Sequence, residues 1–139
     1  MLPERFSLAL ASPSVDDFLQ LRQKVGWGEL EADLAQKSIN NSLFHVTIYH
    51  DQQLIGMGRV VGDGAMYFYI QDVVVDPNFH NQGLGTELMD TIEGYLRYTA
   101  DKGSTIGLLA GQGKESFYAR YGYVQRPSNT LGHGMCKFV

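Results

Sequence analysis

The 139 residues, 44% hydrophobic and 19% charged, can enclose one sizeable core and are too apolar to stay disordered. No apolar run reaches the ~18–20 residues of a membrane span, the opening MLPERFSLALASPS lacks the basic-then-apolar order of a secretory signal, and a single cysteine, Cys136, excludes an internal disulfide. The net charge of −4 denies the chain the basic face of a general nucleic-acid binder, and His45, His50, His80 and His133 show no metal-ligand spacing.

These features predict one cytoplasmic domain over residues 1–139, with no metal and no membrane or nucleic-acid partner. Arg5 to Ala11 reads as a first strand. Ser12-Pro13-Ser14 offers a cap and a first-turn proline for a helix that carries Val15, Phe18, Leu21 and Val25 on one side and ends near Gly26. Glu29 to about Ser38 suits a second helix. Ser42–His50 and Gln53–Val61, joined at Asp51-Gln52, read as a hairpin. Ala65 to Asp76 is the longest strand, and its valine run suits a central, buried position. Pro77 ends it. A polar loop, Asn78 to Gly85, then opens a helix with Leu84, Leu88, Met89, Ile92, Tyr95 and Leu96 in one apolar stripe. Thr105–Ala110 is a short strand, Glu115–Arg120 a short helix, and Tyr121–Gln125 and Gly134–Val139 are expected to close the fold as strands. Cys136, in GMCKFV, reads as a buried structural thiol. The fold class is α/β, in the order β-α-α-β-β-β-α-β-α-β-β.

The segment VVVDPNFHNQGLGTELM, Val73 to Met89, carries the chemistry. It is a strand, a breaker, a loop and a helix start. The first amides of a helix have no intrahelical partner and sit at the positive end of its dipole. Gly83 and Gly85 allow an anion close to that backbone, so the element suits a phosphate or pyrophosphate. No Gly-Lys-Ser/Thr follows, which excludes a Walker loop, and Leu88 stands where a dinucleotide fingerprint needs its third glycine.

A valine strand, Asp-Pro and then His80-Asn81-Gln82-Gly83-Leu84-Gly85 resembles the coenzyme-A motif Gln/Arg-x-x-Gly-x-Gly/Ala of the GNAT superfamily of N-acetyltransferases. His80 departs from it, and should weaken one side-chain contact while the backbone cradle stays. Ser116-Phe117-Tyr118-Ala119-Arg120-Tyr121-Gly122-Tyr123 resembles the family's Phe-Tyr-x-x-x-Gly-Phe block. YIQDVVVDP with the Gly-Leu-Gly loop is also similar to serotonin-acetyltransferase-like members. The resemblance implies a mostly antiparallel central sheet with helices on both faces. It implies acetyl-CoA as acyl donor, in a V-shaped opening beside Val73, Val74 and Val75, with His80, Asn81, Gln82, Gly83, Leu84, Gly85 and Thr86 at its phosphates. It further implies direct transfer in a ternary complex to a primary amine, here read as that of a small molecule.

An amine attacks only when neutral, yet alkylamines have pKa values near ~10, so a proton must leave. The resemblance gives the oxyanion donor to a backbone N–H within Val73–Val75, and the acid for the departing thiolate to Tyr118. Tyr118 as a core aromatic is the alternative. No carboxylate or histidine occupies Tyr69 or Gln71, where family members often carry a base. Strict alternation puts Tyr67, Tyr69 and Gln71 on one face and Phe68, Ile70 and Asp72 on the other. Asp72 is the nearby acid, a candidate base if a bulge re-aims it. A buried hydrogen-bonding role for Asp72, or proton loss through water with Tyr69 as relay, stays open. Trp27 is either an acceptor-pocket wall or a core residue, and Lys114 and Arg120 either meet phosphates or stay solvated. A protein or peptide acceptor, a non-catalytic coenzyme-A-binding module and a homodimer also stay open.

Overall fold

The computed structural model describes residues 2–139. The chain forms two compact units, Met1–Ile106 and Gly107–Val139. The first carries strand β1 (Phe6–Ala9), helices α1 (Val15–Lys24) and α2 (Ala32–Asn40), strands β2 (Phe44–His50), β3 (Gln53–Gly62) and β4 (Tyr67–Val75), a 3-10 turn (Pro77–Phe79) and helix α3 (Leu84–Thr99). Strand β5 (Thr105–Leu108) runs into the second unit, which holds helix α4 (Glu115–Ala119). The sheet order is β1-β2-β3-β4-β5, and the first three pairings are antiparallel. The mixed α/β class expected from the sequence is the one found.

Local chemistry sets the element ends. Ser14 caps α1 by accepting the Asp17 amide at 3.1 Å, with Asp16 and Asp17 in the first turn and Arg22 and Lys24 in the last, both favourable to the helix dipole. Pro13 therefore precedes the cap rather than lying in the first turn. Helix α2 starts at Ala32, later than expected, because Glu31 is still extended at φ −64°, ψ 136°. Gly62 has φ 145°, and a Cβ there would stand 2.1 Å from the Tyr67 carbonyl oxygen, so this turn admits only glycine. Asp63 closes it by accepting the amides of Ala65, Met66 and Tyr67.

The sheet is covered on both faces. Against one, α1 and α2 bury Phe18, Leu21, Ala35 and Ile39 with Met57 and Val74. On the other, α3 lies so close to β3 that a Cβ on Gly58 would meet Ile92 Cδ1 at 2.9 Å. Leu84, Leu88, Met89, Ile92 and Leu96 are buried, as their spacing predicts, while half-buried Tyr95 stacks on Phe44 at 4.4 Å. This double covering explains why β3 is buried from Leu54 to Val60 without alternation.

In the second unit β5 ends at Leu108, and neither closing strand forms. Residues 121–125 and 134–139 hold no strand, and Ser128 and Leu131 make an isolated bridge. A β-strand exists only by pairing, and these runs have no ladder partner among the described residues, whatever their alternation. Cys136 is accordingly exposed, not buried, and so are its neighbours Met135 and Phe138.

Candidate active site: the β4 bulge and the loop into α3

Strand β4 is not a regular ladder. Its register with β3 passes from Arg59↔Gln71 to Met57↔Val74, so Asp72 and Val73 together oppose Gly58. Asp72 has φ 57°, a left-handed conformation that aspartate tolerates better than most residues. This bulge corrects the strict alternation. Met57, Arg59 and Val61 share a face of β3, and their partners Val74, Gln71 and Tyr69 share it on β4. Asp72 is turned to that same face and away from Phe68 and Ile70.

There Asp72 is buried, and both its oxygens are held. Arg59 Nε donates to Oδ2 at 2.8 Å and Arg22, from α1, donates to Oδ1 at 2.9 Å. Gln71 adds a bond to Oδ1 at 3.2 Å. The Arg22 guanidinium also lies 5.2 Å from the ring centre of Trp27 and 5.7 Å from that of Phe18. Trp27 remains 42% exposed, so it is not a core residue. Arg22 and Arg59 were not singled out from the sequence. For Arg59 alone there was a signal: an arginine inside the apolar run LIGMGRVV must be paired if that strand is buried, and Asp72 is the acid in the neighbouring strand.

The strand end is pinned by a second buried acid, Asp76. Its amide donates to the Ile55 carbonyl at 2.7 Å, Oδ1 accepts the Asn78 amide at 2.9 Å, and Oδ2 accepts Lys24 Nζ at 3.0 Å. Asp-Pro-Asn thus builds the 3-10 turn, with Pro77 at a position that needs no donor. Phe79 anchors the turn against Phe6 and His50, with ring centres 5.9 and 5.0 Å away. His80 Nε2–H donates to the Val75 carbonyl at 3.1 Å, which ties the loop to the last residue of β4.

Asn81 and Gly83 then take φ of 63° and 77°, which swings the chain into α3. Gly83 is the N-cap and supplies no capping side chain, and the first helical bond runs from the Glu87 amide to its carbonyl. The amides of Leu84, Gly85 and Thr86 therefore start the helix with no intrahelical acceptor. A Cβ on Gly83 would find no atom within 4 Å. The loop thus offers open space beside a run of N–H donors, and those donors fit a pyrophosphate such as that of coenzyme A.

In the second unit, Tyr118 is half-buried on α4, its ring 5.1 Å from that of Phe117 and nearly perpendicular to it. Like any tyrosine its hydroxyl keeps its proton at neutral pH, and burial pushes it further above the usual tyrosine value. Arg120 lies over Phe117 at 5.0 Å, and Lys114 is exposed at the start of α4.

Residues 23–139 match the family of the acetyltransferase (GNAT) domain. The uncharacterized N-acetyltransferase ycf52-like of Prochlorococcus marinus is 37% identical over 113 residues, 78% of this chain and 61% of that protein. The histone acetyltransferase TAP1 of Glycine max is 33% identical over 129 residues, 85% of this chain and 55% of that protein. The chain thus spans between half and two thirds of the length of these relatives. Among solved structures, the Staphylococcus aureus protein SA2161, named a probable acetyltransferase, is 28% identical with a TM-score of 0.86, covering 95% of this chain and 99% of its own. Matched along most of its length by the family and by these relatives, the chain belongs to the GNAT acetyltransferases.

Proposed function

We propose that the chain moves an acetyl group from acetyl-CoA to the primary amine of a small molecule, directly within a ternary complex. The observation that carries the acetyl-CoA part of this reading is the loop from β4 into α3, where Gly83 is left-handed and open beside the amides of Leu84, Gly85 and Thr86. Those amides, with that of Gln82 before them, would hold the pyrophosphate. His80 spends its ring N–H on Val75, so it would act by fixing the loop rather than as the side-chain ligand its place in the motif implied. Acetyl-CoA supplies an activated thioester carbonyl. A backbone N–H of Val73, Val74 or Val75 would stabilise the charge that develops on its oxygen. Tyr118, held neutral, would give its proton to the departing sulfur. With both oxygens of Asp72 engaged by arginine donors, deprotonation of the amine is better given to water.

The naming of the soybean relative as a histone acetyltransferase favours a second reading, in which the acceptor is a protein lysine. Thiol release from acetyl-CoA, measured across small primary amines and lysine peptides, separates the two. Small amines should give the higher kcat/KM. Faster release with peptides would give the acceptor to the second reading, and release that no amine or peptide raises would overturn transfer itself.

A further inference from the structure

Two guanidiniums around one buried carboxylate are a poor device for stability alone. Desolvating three charges offsets most of their attraction. Here one guanidinium also leaves Arg22 Nε buried without a hydrogen-bond partner. The carboxylate they grip belongs to Asp72, a non-glycine residue at φ 57° in the middle of a central strand. Such a conformation persists only where its surroundings hold it. The grip comes from two directions, Arg59 on the paired strand β3 and Arg22 on helix α1. Val73 follows immediately, in the extra position of the bulge, and a bulge frees the backbone there from the regular ladder.

We propose that Arg22 and Arg59 are positioning residues: by clamping both oxygens of Asp72 they hold the β4 bulge, and so set the direction of the Val73–Val75 amides toward the thioester oxygen. The clamp rests on the acetyl-transfer reading above for its purpose, but not for its geometry. Its action is on orientation, so it governs turnover more than binding. Arg22 is the better probe, because Asp72 keeps Arg59 when Arg22 is changed and no bare charge is buried.

In Arg22→Gln, hydrogen exchange at the amides of residues 73–75 should quicken about tenfold, reporting a loosened bulge. Single-turnover acetyl transfer should fall about tenfold, equivalent to about 1.4 kcal/mol, while affinity for coenzyme A in titration calorimetry changes less than about twofold. Arg22→Lys should recover most of both losses. A folded Arg22→Gln protein with a lower melting temperature but unchanged exchange at 73–75 and unchanged turnover would overturn the clamp. Wild-type protein that binds no coenzyme A would instead overturn the acetyl-transfer reading, and the exchange measurement would still decide the clamp.

Discussion

A thiolate leaving group needs a proton donor that is still protonated at working pH, which a tyrosine hydroxyl is, and burial of Tyr118 moves it further the same way. Tyr118→Phe keeps the ring, so the fold should survive, and turnover should drop by roughly 10²-fold or more if the hydroxyl is the acid. Coenzyme A affinity should change far less. Single-turnover rates at matched amine concentration test this, and near-normal turnover in a folded variant would return Tyr118 to a packing role. Tyr118 could be picked out because its motif is local in sequence. Arg22 and Arg59 could not be found that way, since their partner Asp72 lies 50 and 13 residues away and its face depends on a bulge. Alternation assumes a period of two, and one left-handed residue breaks it.

At the scale of elements, what was legible is what is held together locally. The stripe on α3 is a property of the helix's own spacing, and it packs on the sheet as that spacing predicts. The hairpin of β2 and β3 was legible for the same reason, with Asp51 at φ 56° making its turn. The runs 121–125 and 134–139 are expected as strands and form none, because pairing is a long-range property that local sequence does not contain. The loop into α3 joins both kinds of information, a local glycine pattern and a strand end pinned by Asp76 and His80. Gly83→Asp tests it. Aspartate is among the residues least penalised at positive φ, so the loop should form. Its Cβ and charge would point into the open space beside the α3 amides. Affinity for coenzyme A should fall at least tenfold, about 1.4 kcal/mol, in titration calorimetry. Unchanged affinity in a folded variant would remove the loop as the pyrophosphate site.

For the molecule as a whole, the burial of His45 ties the stability of the fold to pH. That ring is half-buried on β2, opposite Arg59 in the register, with Nε2 bonded to the Ile39 carbonyl at 3.1 Å. Burial is the largest influence on it and lowers its pKa below 6.5; the bond to Ile39 opposes this, and the charge of Arg59 adds to it. The folded protein therefore binds the His45 proton less readily than the unfolded chain does. Where the unfolded state binds more protons, stability rises with pH. The His45 contribution is thus fully present above about pH 6.5 and is lost as pH falls from there through the folded value. Urea unfolding at pH 7.5 and 5.5 lies above the range of ordinary carboxylates, so acid protonation contributes little to the difference. Wild-type protein should be less stable at pH 5.5. In His45→Gln, where an amide N–H can still reach the Ile39 carbonyl and no ring can titrate, that difference should shrink. An equal pH difference in both proteins would mean that His45 does not couple protons to folding, and that its bond to Ile39 and its place beside Arg59 are matters of packing alone.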